Sequence, residues 1–371
     1  MPAADWIATA AVLVALAGLV LALAAWRLAR KRPPSYTLAV TRVSRPRTDT
    51  GSQVAVVLNP SKPGATAALL AIDEACQARG LTEPLVLETT IEETGAAQAR
   101  AALDAGATLV IVTGGDGTVR AAASAMLGSR VPMAIIPAGT GNLFARNLNL
   151  PLANIDEAVA IALAGLDRSV DVGWVRVLET ELGLDGKPRH TSARVGDKQM
   201  FLVIAGLGFD AAMVADTDEA LKRRFGWLAY FLAGAKHLHS RRMHASVWLD
   251  SAAPIKTRLR SVMIGNCGRI PGGIALLPDA KMDDGVLDLA AVDTRVGLAG
   301  WTQLLGTVIL RRTAGPEKSA YKWGRINRWQ CRRARIKVSS GEHAQVDGDC
   351  MGKVREIEVW VEPGALLVRA P

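Results

Sequence analysis

The sequence predicts two folded domains behind a membrane-spanning segment: an α/β domain on a parallel sheet, then a domain of mostly antiparallel strands. Three observations support this prediction. A long apolar run near the N-terminus carries no charge, short apolar runs then alternate with alanine-rich stretches, and from about residue 171 strand-like runs are separated by turns. A chain of 371 residues also exceeds one ordinary core, which favours two domains.

The N-terminal run extends from Trp6 to Trp26 and contains no charged residue. About 20 apolar residues in a helix span the hydrocarbon core of a bilayer, and tryptophan favours its two interfaces. Basic residues begin directly at Arg27, whereas Asp5 is the only charged side chain before the run. This asymmetry predicts an uncleaved single-pass anchor (residues 1–32) in the cell membrane, with the rest of the chain in the cytoplasm. Residues 33–52, which contain three prolines, are expected to form a linker.

The first folded domain is expected at residues 53–170. Strands that alternate with helices indicate a parallel sheet covered on both faces. The predicted strands are residues 54–58, 85–88, 109–113 and 133–137, and the predicted helices are residues 65–79, 95–105 and 118–127. The second, β-rich domain is expected at residues 171–371, with the option that its C-terminal segment returns to the first domain.

Charge and cysteine content exclude several classes of protein. The net charge of +9 and the pI near 9.6 favour polyanionic partners such as anionic lipids or phosphorylated ligands. The basic runs lack interleaved aromatic residues, so we expect no nucleic acid partner. The four cysteines have no metal-ligand or redox spacing, and the histidines between residues 236 and 244 lack acidic or thiol companions, which argues against a zinc site.

Three of the four predicted strands in the first domain run into loops rich in glycine, asparagine and threonine. Ligands of open parallel sheets bind outside the carboxyl ends of the strands, so these loops are expected on one rim. Glycines let backbone N–H groups approach a phosphate, and a following helix N-terminus adds positive potential. The loops are NPSKPG (59–64), GGDGT (114–118) and PAGTGN (137–142). They predict a phosphate cradle other than the usual P-loop, because G-x-x-x-x-G-K-[ST] is absent.

Taken in order, the motifs of this chain resemble the diacylglycerol kinase catalytic-domain family, which includes bacterial lipid kinases and sphingosine kinases. The resemblance covers about residues 53–371 and rests on NPSKPG (59–64), GGDGTV (114–119), IPAGTGNLFARNL (136–148), AGLGFDA (205–211), PGGIALLPDAKMDDGVLDL (271–289) and VDGD (346–349). It implies a nucleotide-binding α/β domain of the NAD kinase and diacylglycerol kinase type and a second, β-sandwich domain. It also implies an active site in the cleft between them, which uses ATP and Mg²⁺.

The chain departs from the family pattern at three places. Many members have Asn-Glu shortly after GGDGT, where this chain has Arg120 and Ala121. Many have aspartate after GTGN, where this chain has Leu143. A late D-G-E motif ends here in Asp349, whose side chain is one methylene shorter than glutamate.

The glycine-rich loops supply most of the candidate nucleotide-binding residues, and Thr90, after the second strand, is a further candidate. Asp116 lies at the tip of the central loop and is the candidate ligand of a catalytic magnesium or of its waters, because Mg²⁺ is usually held by one or two carboxylates plus phosphates. The alternative is that Asp116 only bonds local backbone. The candidates are Asn59, Pro60, Ser61, Lys62, Gly64, Thr90, Gly114, Gly115, Asp116, Gly117, Thr118, Val119, Arg120, Thr140 and Asn142.

Two late acidic residues are candidates for the proton acceptor. Asp347 and Asp349 are two residues apart, so in an extended segment they point the same way. One could then accept a hydroxyl proton while the other orients it or contacts metal. The resemblance implies Asp349 as the acceptor and Asp347 next; the alternative is a charged β-turn, since Asp-Gly is also a hairpin signal. The resemblance further implies a structural magnesium, bound by Asp284 and the main-chain carbonyls of Lys281 and Val286.

The expected function is that of a lipid kinase. It would move the γ-phosphate of ATP to the hydroxyl of diacylglycerol or a related lipid at the anionic inner leaflet, so that the lipid and the membrane are the expected partners. A soluble-metabolite kinase of the NAD-kinase type is one alternative, because it shares GGDGT. A non-catalytic, membrane-tethered nucleotide sensor is another, given the departures at Arg120 and Asp349. The sequence leaves the oligomeric state open, a homodimer included.

Overall fold

The computed structural model describes residues 53–181, 194–208, 242–270, 274–275, 277–294 and 324–371. The expected anchor and linker, residues 1–52, lie outside the described residues, as do His237 and His239. Within the described ranges, no helix combines the length and the apolar character needed to cross a membrane.

The first domain is an α/β unit whose four strands are parallel, in the order β2-β1-β3-β4. Its strands are β1 (Val54–Leu58), β2 (Leu85–Glu88), β3 (Leu109–Gly114) and β4 (Met133–Pro137). Its helices are α1 (Ala65–Gln77), α2 (Ala96–Asp104), α3 (Asp116–Met126), α4 (Leu143–Asn147) and α5 (Ile155–Ala164). The expected strands and the first three expected helices are therefore present, within two residues at each end.

Helices cover both faces of this parallel sheet, which explains why β1 is apolar throughout and β3 is apolar up to its last two residues. On one face, Ile72 of α1 packs in a buried cluster with Val56 and Ile111. On the other face, Ala122 of α3 packs with Val112. Small alanine side chains in α2, α3 and α5 let these helices approach the sheet closely. The two clusters hold the carboxyl ends of the strands, and the loops after them, at one rim.

The second domain is made of strands that are paired almost entirely antiparallel. They are β5 (Leu166–Thr180), β6 (Lys198–Phe201), β7 (Ile204–Gly208), β8 (Met243–Leu249), β9 (Ile255–Leu259), β10 (Ser261–Gly265), β11 (Arg269–Ile270), β12 (Ile274–Ala275), β13 (Leu287–Thr294), β14 (Gly324–Cys331), β15 (Arg333–Val346) and β16 (Asp349–Ala370). Strand β5 crosses the boundary expected at residue 170, so that boundary falls inside a strand.

Long strands join the two layers of this sandwich. The first half of β15 pairs with β8 through residues 334–338, and its last residues, 344–346, pair with β7. Register shifts within β15 and β16 mark the bends. One apolar core lies between the layers and takes Val247 and Ile336 from one layer and Leu207, Ile264 and Leu289 from the other.

The C-terminal strand connects the two domains. Val368 of β16 pairs in parallel with Met133 of β4, while residues 366–370 pair antiparallel with β5. Within the described residues, the sheet therefore runs without a break from β14 to β2. Arg369 and Asp167 form a buried ion pair at this junction, with Nε to Oδ1 at 2.7 Å and Nη2 to Oδ2 at 3.1 Å. The last residues of the chain thus fix the second domain to the first.

Candidate active site

The loop after β1 is tied to the start of α3 through Asn59. The backbone N–H of Asn59 donates to the carbonyl oxygen of Thr113 at 2.9 Å, and its side-chain Nδ2 donates to Oγ1 of Thr118 at 3.0 Å. The backbone N–H and the hydroxyl of Ser61 both donate to Oδ1 of Asn59, at 3.1 and 2.7 Å. One asparagine side chain thus orders its own loop and places it against the central loop.

The second and third loops approach each other so closely that a side chain would not fit at Gly139. A Cβ atom added to Gly139 would lie 2.7 Å from the Cα of Gly115. The N–H of Ala138 donates to the carbonyl oxygen of Gly114 at 3.0 Å, which extends the pairing of β3 with β4 into the loops. The Lys62 side chain reaches the same place, since its Cε lies 3.7 Å from a Cβ added to Gly115. The structure therefore brings bare backbone and one ammonium group together, the composition expected of a phosphate site.

Asn142 shapes the third loop from within. It has a φ of +47°, and its side chain binds Gly139 twice: Oδ1 accepts the Gly139 N–H at 2.9 Å, and Nδ2 donates to the Gly139 carbonyl at 2.7 Å. Asn142 is buried, whereas the neighbouring Thr140 is exposed. Thr140 is thus the residue of this loop whose hydroxyl is open to a ligand, and Asn142 acts through the shape of the loop.

Asp116 is the first residue of α3, and its carboxylate caps another helix. Its Oδ1 accepts the backbone N–H of Leu143 at 2.6 Å, at the start of α4. Its Oδ2 lies 2.6 Å from the position of a Cβ on Gly141. Burial raises the pKa of the Asp116 carboxyl, while backbone N–H groups of Leu143, Phe144 and Asn142 lower it. Asp116 therefore bonds backbone, but its partner lies 27 residues away at the start of α4 and not in its own turn.

The surroundings of Asp116 bear on how it could meet magnesium. A carboxylate oxygen is the donor type that Mg²⁺ prefers, and Mg²⁺ keeps several of its waters in nucleotide sites. Because Oδ1 already accepts an N–H group and Oδ2 is packed against Gly141, the arrangement fits contact with a hydrated ion through water better than a direct bond. A magnesium ion at this place would therefore use the charge of this carboxylate and not a direct bond to it.

Arg120, also on α3, joins the first domain to the hairpin between β15 and β16. Its Nη1 donates to the carbonyl oxygen of Val346 at 2.8 Å, and its Nη2 donates to the carboxylate of Asp349. The Arg120 side chain is 21% exposed and that of Asp349 is 64% exposed. The expected proton acceptor therefore lies next to the helix that begins at the phosphate loop, and it faces solvent.

The hairpin itself is a two-residue turn. Asp347 and Gly348 have φ values of +48° and +90°, and the flanking Val346 and Asp349 are paired. Positive φ at both central residues is the geometry that Asp-Gly favours in tight hairpins. The expectation that both carboxylates point the same way is therefore wrong, because the chain reverses between them instead of staying extended.

Asp347 braces the second domain. Its carboxylate accepts the backbone N–H groups of Leu202, Val203 and Ile204 at 2.8, 3.0 and 2.9 Å. Burial raises the pKa of Asp347 to about 6, although these N–H groups and the Arg120 guanidinium lower it. Both oxygens are thus engaged by backbone, and Asp349 is the acid of the pair whose carboxylate is exposed to solvent.

The loop expected to hold a structural magnesium is organised by a second buried acid. Asp171 accepts the N–H groups of Gly285 and Gly364 at 2.7 and 2.8 Å. Oδ1 of Asp284 accepts the N–H of Val286 at 3.2 Å. Burial raises the pKa of both Asp171 and Asp284, and their mutual repulsion raises that of Asp284 further.

This loop offers magnesium one carboxylate, from Asp284, and the carbonyls expected at Lys281 and Val286. Such hard oxygen donors suit Mg²⁺, and a cation here would offset the charge that Asp171 and Asp284 share. Among the described residues, no group of three or more histidine, cysteine, aspartate or glutamate side chains is arranged to hold a metal ion. A metal at this place would therefore depend on main-chain oxygens.

Four candidates from the sequence remain: Thr90, Val119, Pro60 and Gly64. Thr90 is exposed and its hydroxyl accepts the N–H of Glu93 at 3.0 Å, so it orders the loop after β2. Val119 is 4% exposed and packs in the core, which leaves only its backbone for a ligand. Pro60 is exposed, and Gly64 starts α1 with a φ of +83°.

Sequence reasoning missed one contact between the two domains, which joins α4 to Arg269. Asn147, at the end of α4, donates from Nδ2 to the carbonyl oxygen of Arg269 at 2.9 Å and accepts the Arg269 N–H at 3.1 Å. Arg269 Nη1 also donates to Oδ1 of Asn149 at 2.7 Å. These bonds attach α4 to β11 of the second domain. Asn147 lies within the motif IPAGTGNLFARNL, which was the available signal.

Comparisons with known proteins agree with this architecture. The diacylglycerol kinase catalytic domain matches residues 53–175, and the YegS C-terminal NAD kinase beta sandwich-like domain matches residues 203–370. A Pseudomonas aeruginosa protein named "Probable lipid kinase YegS-like" is 32% identical over 275 residues, which cover 73% of this chain and 79% of that protein. A diacylglycerol kinase of Mycobacterium tuberculosis is 32% identical over 201 residues, which cover 53% of this chain and 60% of that protein.

A crystal structure of a diacylglycerol kinase from Bacillus anthracis has the same fold. It superposes with a TM-score of 0.59 at 20% identity, covering 86% of this chain and 97% of that chain. The predicted combination of a mixed α/β, nucleotide-kinase-like domain with a C-terminal β-sandwich is thereby confirmed.

Proposed function

The chain belongs to the diacylglycerol kinase catalytic-domain family, and from that premise we propose that it transfers the γ-phosphate of ATP to the hydroxyl of a membrane lipid, diacylglycerol or a related lipid. Membership of a family of lipid kinases supports a lipid kinase function in general. The nucleotide, the metal, the lipid and the inner face of the membrane are the parts that we propose.

One observation supports the proposal above all others: a phosphate-type cradle lies at the start of one helix, α3, and an open carboxylate contacts the same helix one turn further along. The cradle is the close approach of Gly115 and Gly139 with Lys62 beside them. The carboxylate is Asp349, held by Arg120 of the same helix. A kinase needs these two features near each other, because its nucleophile must be deprotonated while the terminal phosphate is held in line.

The residues divide the work of phosphoryl transfer between them. Backbone N–H groups of the loops and the Lys62 ammonium bind phosphate oxygens, and Asp116 contributes charge to a hydrated Mg²⁺. Magnesium, when bound, neutralises charge on the phosphates. As the lipid hydroxyl oxygen bonds to the γ-phosphorus and the bond to the β-phosphate oxygen breaks, Asp349 accepts the hydroxyl proton and later returns it to solvent. The products are ADP and a lipid phosphate.

We further propose that an anionic membrane surface is the partner of the second domain. Side chains of β8, β9 and β15 line an open groove of about 510 Å³, among them His244, Lys256, Arg258 and Lys337. Lys337 pairs with glutamates, and Arg258 donates to His244 at 2.7 Å. Among the described residues, Lys256 and Arg258 pair with no carboxylate, which leaves their charge available to lipid phosphates.

The test of the function is transfer of labelled phosphate. Full-length protein in vesicles receives ATP labelled in its γ-phosphate, Mg²⁺, and either diacylglycerol, total membrane lipid or NAD, and products are identified by mass spectrometry. We expect label in a lipid that gains one phosphate, and little label with Asp349→Asn. Label on NAD alone would instead indicate a soluble-metabolite kinase. Nucleotide binding without product on any lipid would indicate a sensor and contradict the proposal.

A further inference from the structure

The contact between Arg120 and the hairpin spans the two domains. Arg120 follows Asp116 by one turn of α3, and α3 begins directly after Gly115 of the phosphate loop. At its other end the guanidinium binds the Val346 carbonyl at 2.8 Å and the Asp349 carboxylate. A single side chain therefore connects the helix of the phosphate loop to the acid that we propose as proton acceptor.

The hairpin needs such a connection because its other anchor does not reach Asp349. Asp347 fixes the turn to residues 202–204 through three N–H groups, but it lies on the opposite side of the chain reversal. The Asp349 side chain is 64% exposed, and within the described residues its carboxylate is held by Arg120. Without that contact the carboxylate would be free to turn among its rotamers in solvent.

Arginine is suited to this task in a way that lysine is not. A guanidinium is planar and presents several N–H groups in a fixed fork, so Nη1 and Nη2 can bind two different acceptors at once. Here one acceptor is main chain and the other is the carboxylate, so the position of the carboxylate is set relative to the hairpin as well as to α3.

We infer that Arg120 is a positioning residue for phosphoryl transfer: it holds the Asp349 carboxylate at the distance from the phosphate loop that the reaction requires. This inference rests on the proposed function. Reacting groups must lie within a few tenths of an ångström of productive geometry, and a small displacement of a catalytic group costs rate much more than substrate affinity. The arginine at this position, in place of the family's asparagine, is then a replacement that suits the shorter acid at Asp349.

The experiment is a kinetic cycle on the full-length chain with labelled ATP and diacylglycerol vesicles. The variants are Arg120→Ala, Arg120→Lys, Asp349→Asn and the double variant Arg120→Ala/Asp349→Asn. We expect Arg120→Ala to lower kcat by about 10- to 100-fold while the KM for ATP changes less than about twofold. Arg120→Lys should recover only part of that loss. In the Asp349→Asn background, Arg120→Ala should lower kcat no further, because the group that it positions is gone.

A matched control separates this role from general stability. Arg176 of β5 forms an ion pair with Glu358 of β16, and neither residue belongs to the phosphate loops or to the hairpin between β15 and β16. Arg176→Ala therefore removes a comparable, partly exposed ion pair between strands. We expect the kcat of this variant to stay within about twofold of the wild type.

Several results would overturn the inference. One is an unchanged kcat in Arg120→Ala. Another is that Arg120→Ala lowers kcat by the same factor in the Asp349→Asn variant as in the wild type. A third is a raised KM for ATP at unchanged kcat, which would indicate that Arg120 binds the nucleotide. Failure of the proposed function looks different, since the wild type itself would then label no lipid. In that case thermal unfolding still tests the contact. If Arg120→Ala lowers Tm by the same amount in the wild type and in the Asp349→Asn variant, the two side chains are not coupled.

Discussion

The carboxylate of Asp116 accepts the backbone N–H of Leu143 at 2.6 Å, so the residue that begins α3 also holds the start of α4. The central loop and the third loop of the phosphate cradle are thereby joined through a side chain as well as through the sheet. Leu143 stands where many family members have aspartate. Its backbone N–H makes this contact, and its side chain packs against the core of the first domain.

Asp116→Asn is expected to keep the fold and lose the activity. The amide oxygen of asparagine can still accept the Leu143 N–H, so the free energy of unfolding should change by less than about 1 kcal/mol. Removing the charge should lower lipid phosphorylation about 100-fold, because Mg²⁺ and the phosphates lose a compensating carboxylate. The measurements are urea unfolding and labelled-ATP transfer. Asp116→Ala, which removes the cap too, should lower both stability and turnover. Normal turnover in Asp116→Asn would show that this residue serves only as a cap.

Asp347 predicts a pH dependence of stability. Its folded-state pKa of about 6 lies above the ordinary value near 3.9. Between about pH 4 and pH 6 the folded protein therefore keeps a proton that the unfolded chain has released, and the free energy of unfolding falls as pH rises through this window.

Asp347→Asn has no proton to release, so it removes this contribution. Relative to the variant, the wild type should lose up to about 1.4 kcal/mol per pH unit across the window, above a constant offset from the altered hydrogen bonds. Urea midpoints measured from pH 4 to pH 7 check this difference. Parallel curves for the two proteins would contradict the expected titration.

The sequence predicted the features that depend on neighbouring residues and missed those that depend on contacts between distant residues. The strands and first helices of the α/β domain followed from period and composition, because β1 and β3 are buried along their length and read as continuous apolar runs. The phosphate loops followed from glycines at strand ends. The contact of Arg120 with Asp349 joins positions 229 residues apart and gave no local signal. The Asp347–Gly348 turn was predicted only as an alternative, because two acids at spacing two suit an extended strand as well as a hairpin.

The buried pair of Arg369 and Asp167 should carry much of the stability of the domain junction. The two side chains are 3% and 9% exposed, and Arg369 also donates to the Ala162 carbonyl at 3.3 Å. Asp167→Ala would leave an unpaired buried guanidinium and should destabilise the protein by about 3–5 kcal/mol. The double variant Asp167→Leu/Arg369→Met leaves no buried charge and should cost less than Asp167→Ala alone. Equal losses in denaturant unfolding would show that the charges are not what matters.

Gly139→Ala should open the phosphate cradle. The added Cβ would meet the Gly115 Cα at 2.7 Å and the Asn142 Oδ1 at 2.8 Å. The first atom is backbone, and the second ends a side chain that two hydrogen bonds to Gly139 hold in place. We expect ATP affinity to fall about tenfold or more, since a shift of the loops misplaces several N–H groups together. Gly117→Ala adds a Cβ with nothing within 4 Å and should lose less affinity. Equilibrium nucleotide binding decides, and equal losses in both variants would contradict the steric account.

The basic groove predicts a dependence of activity on membrane charge. Lys256 and Arg258 are exposed on β9 and face the same groove as His244. Near an anionic bilayer each such charge contributes about 1 kcal/mol, or about fivefold in binding. For the full-length protein, the rate on vesicles that contain phosphatidylglycerol, divided by the rate on dispersed short-chain diacylglycerol, should fall in Lys256→Ala/Arg258→Ala. The fall should be largest at low salt, because the charges are screened within about 10 Å at 0.1 M.

The matched control for the groove removes the same charge from the first domain. Arg79, just after α1, and Arg100, in α2, are both exposed in the first domain, so Arg79→Ala/Arg100→Ala lowers the net charge equally without touching β8 or β9. Its rate ratio should stay close to that of the wild type. If both double variants lower the ratio to the same extent, the effect comes from net charge, and the groove has no special place at the membrane. If neither lowers it at any salt concentration, the proposed membrane partner of this face is wrong.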